Sequence, residues 1–200
     1  MALIGKNNEE KIWNFLIEEI KNEYGVAGLM GNLQAEAGLN PKNLQNSFEK
    51  KLGLSDEEYT ILVDNGVYSD FASDGCGYGL CQWTYKTRKL NLLNFVKQNK
   101  KSIGDLEIQL KFLMKELSES YKSVLKGLID ASSIQEASDL VLTKFERPAN
   151  QGENVKKKRA NYGQKFYDKY SQKEENSMAD YSKYINSTGT HYISNSGFEK

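Results

Sequence analysis

Glu36 lies in the stretch GNLQAEAGLNP, residues 31–41, at a position where an apolar side chain is expected. Val26, Leu29, Leu33 and Glu36 recur at helical spacing on one stripe, and Gly38 with Pro41 supplies a stop just beyond. A carboxyl group aimed at a core, or at a cleft cut into it, resists ionisation, and an acid that keeps its proton near neutral pH can protonate a leaving oxygen. The same group also reads as a structural carboxylate held by a buried cation. Of the three arginines, Arg88, Arg147 and Arg159, the one in FERPAN, Arg147, is the best-placed partner.

Other chemistries find little support. The chain has one histidine, His191, and two cysteines, so neither a Cys/His zinc site nor a histidine-activated nucleophile can be assembled within the body of the chain. No metal and no cofactor is expected. Lys and Arg total 27 and Asp and Glu total 27, which removes any overall electrostatic reason to expect a nucleic acid or an anionic membrane as partner. No apolar run reaches the ~18 residues of a membrane span, and the first residues show no signal-peptide pattern.

The elements that must position Glu36 are mostly helical. Trp13, Leu16, Ile17, Ile20 and Tyr24 precede Val26, Leu29, Met30 and Leu33 with one period, which predicts two helices or one helix broken at Gly25. Ser55 and Glu58 form a capping box ahead of a helix over 56–65. Residues 66–84 change character: Gly66, Gly75, Gly77 and Gly79 alternate with Val67, Tyr68, Phe71, Tyr78 and Trp83, which reads as turns and short strands. Helical spacing then returns through Leu90, Leu93 and Val96, through Leu106 to Leu128, and through Ala137 to Phe145 behind Ser133 and Glu136. A last helix carries Val155, Tyr162, Phe166 and Tyr170, and its basic run Lys156-Lys157-Lys158-Arg159 reads as a solvated face. From Ser171 onward the composition is that of a linker. A single domain over 1–170 and a tail over 171–200 follow.

MGNLQAEAGLNP followed by GYGLCQWT resembles the lysozyme-like superfamily, and the match is closest to the phage tail lysozyme family of Gram-positive hosts. KKLGLSDEEYT, YKTRK, FERPAN and KKRANYGQKFYDKY extend the likeness over roughly residues 10–170. The resemblance implies an α+β, predominantly helical lysozyme-like fold with a small β region at 66–84. It implies cleavage of peptidoglycan glycan strands with Glu36 as proton donor, and a support role behind the cleft for Glu146 and Arg147.

A developing oxocarbenium ion must be answered by a second carboxylate or a positioned water. Asp74 is the first choice for that role, with Asp70, Asp64 and Glu49 behind it, although Asp before Gly is also an ordinary turn signal. In GYGLCQWT, Gly77 and Gly79 would let backbone approach a sugar, and Gln82 and Tyr78 could bond to it and stack on it. Thr84 and Asn32 are rim candidates, and Trp83 is core by residue type. Cys76 and Cys81 depart from the small apolar residues expected of the family. They are either two buried thiols or, if the loop curls, a disulfide.

Three functions compete on this reading: an N-acetylmuramidase of lysozyme type, a lytic transglycosylase that closes an anhydro ring, and a non-catalytic wall-binding or tail-structural module. Peptidoglycan is the expected partner in all three, with phage tail components beside it. Action on the wall from outside the cell would follow delivery by a virion or by host lysis. The tail looks like the lead-in to a further wall-hydrolase domain.

Overall fold

In the computed structural model residues 2–171 are described; the expected linker, with His191, lies outside them except for Ser171. The chain forms α1 (Asn8–Ile20), α2 (Glu23–Ala37), α3 (Asn46–Leu52), α4 (Asp56–Asp64), α5 (Lys86–Gln98), α6 (Leu106–Glu119), α7 (Lys122–Ile129), α8 (Ile134–Leu140) and α9 (Glu153–Tyr170). A π-helical turn, Val141–Glu146, continues α8 directly.

α2 is the axis around which the rest is packed. Val26 to Leu33 are all buried, with α9 and α8 laid along it and α1 and α7 closing the other sides. The break between α1 and α2 comes at Lys21 and Asn22, not at Gly25. Lys21 takes a left-handed backbone, φ 59°, and the Asn22 side chain caps α2 by accepting from Gly25 N–H at 3.0 Å. Gly38, also left-handed at φ 59°, ends α2 and leaves Glu36 in its last turn.

Glycine makes the central packing possible. At Gly31 a Cβ would lie 2.3 Å from the Arg159 carbonyl oxygen, and at Gly28 one would lie 2.5 Å from Ala137 Cβ. α9 and α8 therefore approach the backbone of α2 closely enough for Arg159 to reach the residues at its C-terminal end.

The expected β region is corrected. Among the described residues 66–84 hold a 3-10 turn, Ser69–Ala72, and no sheet; pairing is limited to isolated bridges, Leu44 with Tyr78 and Tyr78 with Trp83. Left-handed turns at Gly75, Gly79 and Gln82 bend this segment too often for a ladder to propagate. Its order comes instead from amides. Gln45 N–H donates to the Gly77 carbonyl at 2.9 Å, Gly77 N–H donates to Gln45 Oε1 at 3.0 Å, and Leu80 N–H donates to Gln109 Oε1 at 2.9 Å. The helical part of the expectation is met: the Ser55–Glu58 capping box is formed, and α4 follows it.

Gly31→Ala tests this packing. The atom in the way is backbone and cannot rotate aside, so the variant should lose about 1–3 kcal/mol of stability in denaturant unfolding. A Tm equal to the wild type's would show that α9 does not rest on α2 as described.

Candidate functional site

Glu36 is held by Arg159. The guanidinium Nη2 donates to Glu36 Oε1 and Nη1 donates to Asn32 Oδ1 at 3.0 Å, so one arginine spans two residues one helical turn apart on α2. Asn32 is itself fixed: its Nδ2 donates to the carbonyls of Gly28 at 2.9 Å and Ser138 at 3.1 Å. A carboxylate in the last turn of a helix meets the negative end of the helix dipole, and a cation at this place offsets that repulsion. The Glu36 side chain keeps 18% of its surface, whereas that of Arg159 keeps 8%. The acid therefore keeps some exposure while its partner is enclosed.

Three expectations change here. Arg147 is exposed, in a left-handed backbone with φ 52°, and its guanidinium is not the partner of Glu36. Arg159, read from the sequence as part of a solvated basic run, is buried and takes that place. Asn32, a rim candidate, is fully buried and orients the arginine.

Glu146 lies within electrostatic reach of Glu36 and Arg159 but hydrogen-bonds to neither. The π turn adds a residue to the last turn of the helix, and Arg147 N–H closes it on the Leu142 carbonyl at 2.9 Å. Glu146 is half-buried as a residue, but its Oε1 is buried and meets no donor among the described residues. Burial, with the negative charge of Glu36 next, pushes the Glu146 carboxyl up to about 8, against the opposing pull of Arg88 and Arg159. Arg88 is pinned by Glu116 through two bonds, Nε to Oε1 at 2.7 Å and Nη2 to Oε2 at 2.8 Å, and lies 4.8 Å over the Phe145 ring. Trp83 is core, its indole N–H donating to Glu116 Oε2 at 2.8 Å.

Asp74 lies elsewhere, in an enclosed network. Its Oδ1 accepts from Lys89 Nζ at 2.6 Å and from Cys76 N–H at 2.9 Å, and its Oδ2 accepts from the Tyr59 hydroxyl at 2.5 Å. The Lys89 side chain is wholly buried and that of Asp74 is 6% exposed. Burial draws the Lys89 ammonium down and the Asp74 carboxylate opposes that, while burial and then Asp74 push the Tyr59 hydroxyl up. Asp74 thus anchors α5 to the 74–84 loop, and its oxygen atoms are already engaged. Asp64 and Asp70 are exposed; Asp64 accepts from Ile103 N–H at 2.9 Å.

Of the loop residues proposed to hold a sugar, Tyr78 is wholly buried among Tyr59 and Phe71. Thr60 spends its hydroxyl proton on the Asp56 carbonyl at 2.7 Å, so the Tyr78 hydroxyl donates to Thr60 Oγ1 at 2.6 Å. The ring presents no face for stacking, which corrects that expectation. Gly77 and Gly79 are buried against Gln82 and Gln109, where their missing Cβ atoms give room to side-chain amides. Gln82 is half-buried, its Nε2 donating to Asn43 Oδ1 at 2.9 Å, and Oε1 has no donor among the described residues. Thr84 is exposed, with Oγ1 donating to the Gln82 carbonyl at 2.8 Å. Gln82 and Thr84 remain the polar groups of this loop that can meet a ligand.

Cys76 and Cys81 are both free and buried. Burial pushes the Cys76 thiol up to about 12 and Cys81 well above its ordinary range, with Asp74 and Glu146 adding to each respectively. No cluster of His, Cys, Asp and Glu fit to hold a metal ion occurs among the described residues, and no described helix is long and apolar enough to cross a membrane.

A model of the phage tail lysozyme family matches residues 7–170. Morphogenesis protein 1 of Bacillus phage B103 is 26% identical over 162 residues, 78% of this chain; the aligned part is 38% of that relative's length.

Two measurements check these placements. Asp74→Asn leaves the Lys89 ammonium buried without a counter-charge and should cost about 3–5 kcal/mol, part of it recovered in Asp74→Asn/Lys89→Met. A catalytic Asp74 would instead give an Asn variant of normal Tm. A thiol reagent should leave both cysteines unmodified in the native protein and label two per chain in denaturant; rapid native labelling would contradict their burial.

Proposed function

The chain belongs to the phage tail lysozyme family, and from that premise we propose that it cleaves the glycan strands of peptidoglycan as an N-acetylmuramidase, with Glu36 as general acid. The observation that carries the reading is the placing of Glu36: a carboxyl in the last turn of a buried helix, paired with an enclosed arginine and still partly exposed. In the reaction Glu36 gives its proton to the glycosidic oxygen and the bond to the anomeric carbon breaks. A water then adds its hydroxyl to that carbon and returns its proton to Glu36. Gln82 Oε1 and Thr84 Oγ1 are the proposed contacts to the sugar, and Glu146 and Arg159 support the acid from behind.

The enclosure of Asp74 favours a second outcome of the same first step. With that carboxylate committed to Lys89, the muramyl 6-hydroxyl can take the place of water and close an anhydro ring, as in a lytic transglycosylase. Delivery with a phage tail and action on the cell wall accord with the family matched.

Digestion of purified peptidoglycan tests both levels. Glu36→Gln should lower glycan cleavage by about 10²–10⁴-fold, with wall binding retained. Unchanged cleavage would overturn the assignment, and absence of cleavage in the wild type would leave a wall-binding module. Mass analysis of the wild-type products separates reducing ends, which support the muramidase, from anhydro ends, which support the transglycosylase.

A further inference from the structure

α5 carries on its outer side a stripe that its own stability does not explain. Thr87, Asn91, Asn94 and Gln98 fall three or four residues apart on one face of the helix, all exposed and all uncharged. Threonine and asparagine are weaker helix formers than the lysines and glutamates on exposed helix faces elsewhere in this chain. The three amides form no hydrogen bond among the described residues, so neither capping nor packing accounts for them. The stripe is one wall of a groove of about 510 Å³ whose other wall is α6. Its floor is apolar: half-buried Phe95 lies 5.6 Å, ring to ring, from buried Phe112.

The charges that border the groove are already spent in pairs. Arg88 is bound to Glu116 through two bonds, and Lys115 pairs with Glu119 along α6. A phosphate or a carboxylate entering the groove therefore meets no uncommitted cation among the described residues that line it. Amides and hydroxyls over an aromatic floor suit a neutral sugar, whose hydroxyls both give and accept hydrogen bonds while its C–H face lies on a ring. The groove is also joined to the loop of the proposed sugar contacts. Phe112 packs on Trp83 with ring centroids 5.5 Å apart, Glu116 accepts from the Trp83 indole N–H at 2.8 Å, and Thr84 directly follows Trp83. α5 begins at Lys86, just beyond Thr84, and its stripe runs about 16 Å from Thr87 to Gln98.

Resting on the reading of glycan as the substrate, we infer that the groove between α5 and α6 is a second glycan-binding site, which holds a strand of the wall away from the bond that is cut. Asn91, Asn94 and Gln98 bond the hydroxyl and acetamido groups of successive sugars, and Phe95 lies under a ring face. The groove takes no part in the chemistry. It keeps the enzyme on an insoluble strand between cuts, so its effect falls on binding and KM rather than on the bond-breaking step.

Binding is read with the full chain carrying Glu36→Gln, so that no strand is consumed. Peptide-free glycan strands, prepared from peptidoglycan with an amidase, should be bound, and adding Asn91→Ala, Asn94→Ala and Gln98→Ala should weaken that binding about tenfold or more. All three side chains are exposed, so Tm should stay at or above that of the parent. Equal affinity for the glycan, or binding of free stem peptides in place of peptide-free glycan, overturns the inference. NMR with a tetrasaccharide of N-acetylglucosamine gives a second reading: shifts of the Asn91, Asn94 and Gln98 side-chain amides support it, and shifts confined to Gln82 and Thr84 overturn it. With Glu36 intact, the triple substitution should raise KM for long strands about tenfold and lower kcat by less. Cleavage that Glu36→Gln abolishes, together with unweakened glycan binding in the triple variant, sinks the groove alone. Weakened binding in that variant, with no cleavage by the wild type, sinks the assigned reaction and keeps the groove.

Discussion

The contact of Arg159 with Glu36 and Asn32 is the constraint to which the rest of the structure answers. A carboxylate in the last turn of a buried helix is unfavourable on two counts, desolvation and the sign of the helix dipole. A guanidinium offsets both, but only if its helix comes close enough. Gly31 permits that by letting the α9 backbone approach at a distance no side chain would allow. Asn32 then turns a single ion pair into an oriented one, because the planar fork of arginine has its second branch fixed by a neutral, fully bonded amide.

A second ion pair does for the loop what the first does for the acid. Lys89 and Asp74 are both enclosed, with Tyr59 and the Cys76 backbone completing the bonds of the carboxylate. An irregular segment with isolated bridges and no ladder has little backbone pairing to stabilise it, so its order rests on buried side chains. Amides of Gln45, Gln82 and Gln109 serve the same end. The segment is thereby held in place by enclosed side chains rather than by a ladder.

Much of this could be read from spacing. The helices from α4 onward follow the apolar period and the Ser55 cap, and Glu36 stands out because it occupies a place the period gives to an apolar residue. The same signal marks Arg159, which falls on the stripe of Val155, Tyr162 and Phe166, and Lys89, which falls on that of Leu92 and Val96. Arg159 was hidden by its neighbours: three lysines precede it, and a basic run draws the eye to solvent although one member of four faces inward. Asp74 misleads in the opposite way, since an aspartate before a glycine in a loop gives no hint that a lysine fifteen residues on is buried against it.

The sequence alone determined where the helices run, which carboxyl is out of place on its helix, and which family the chain resembles, because each of these depends on local periodicity and on residue types in order. Tertiary structure decided which cation meets that carboxyl, that Asp74 is enclosed and Tyr78 sealed, and that Glu146 turns inward at a π turn. Those outcomes depend on how near two helices can come and on what a charge meets once water is removed. Neither is a property of any segment taken singly, since Arg159 and Glu36 are 123 residues apart and meet only when α9 is laid on the glycine face of α2.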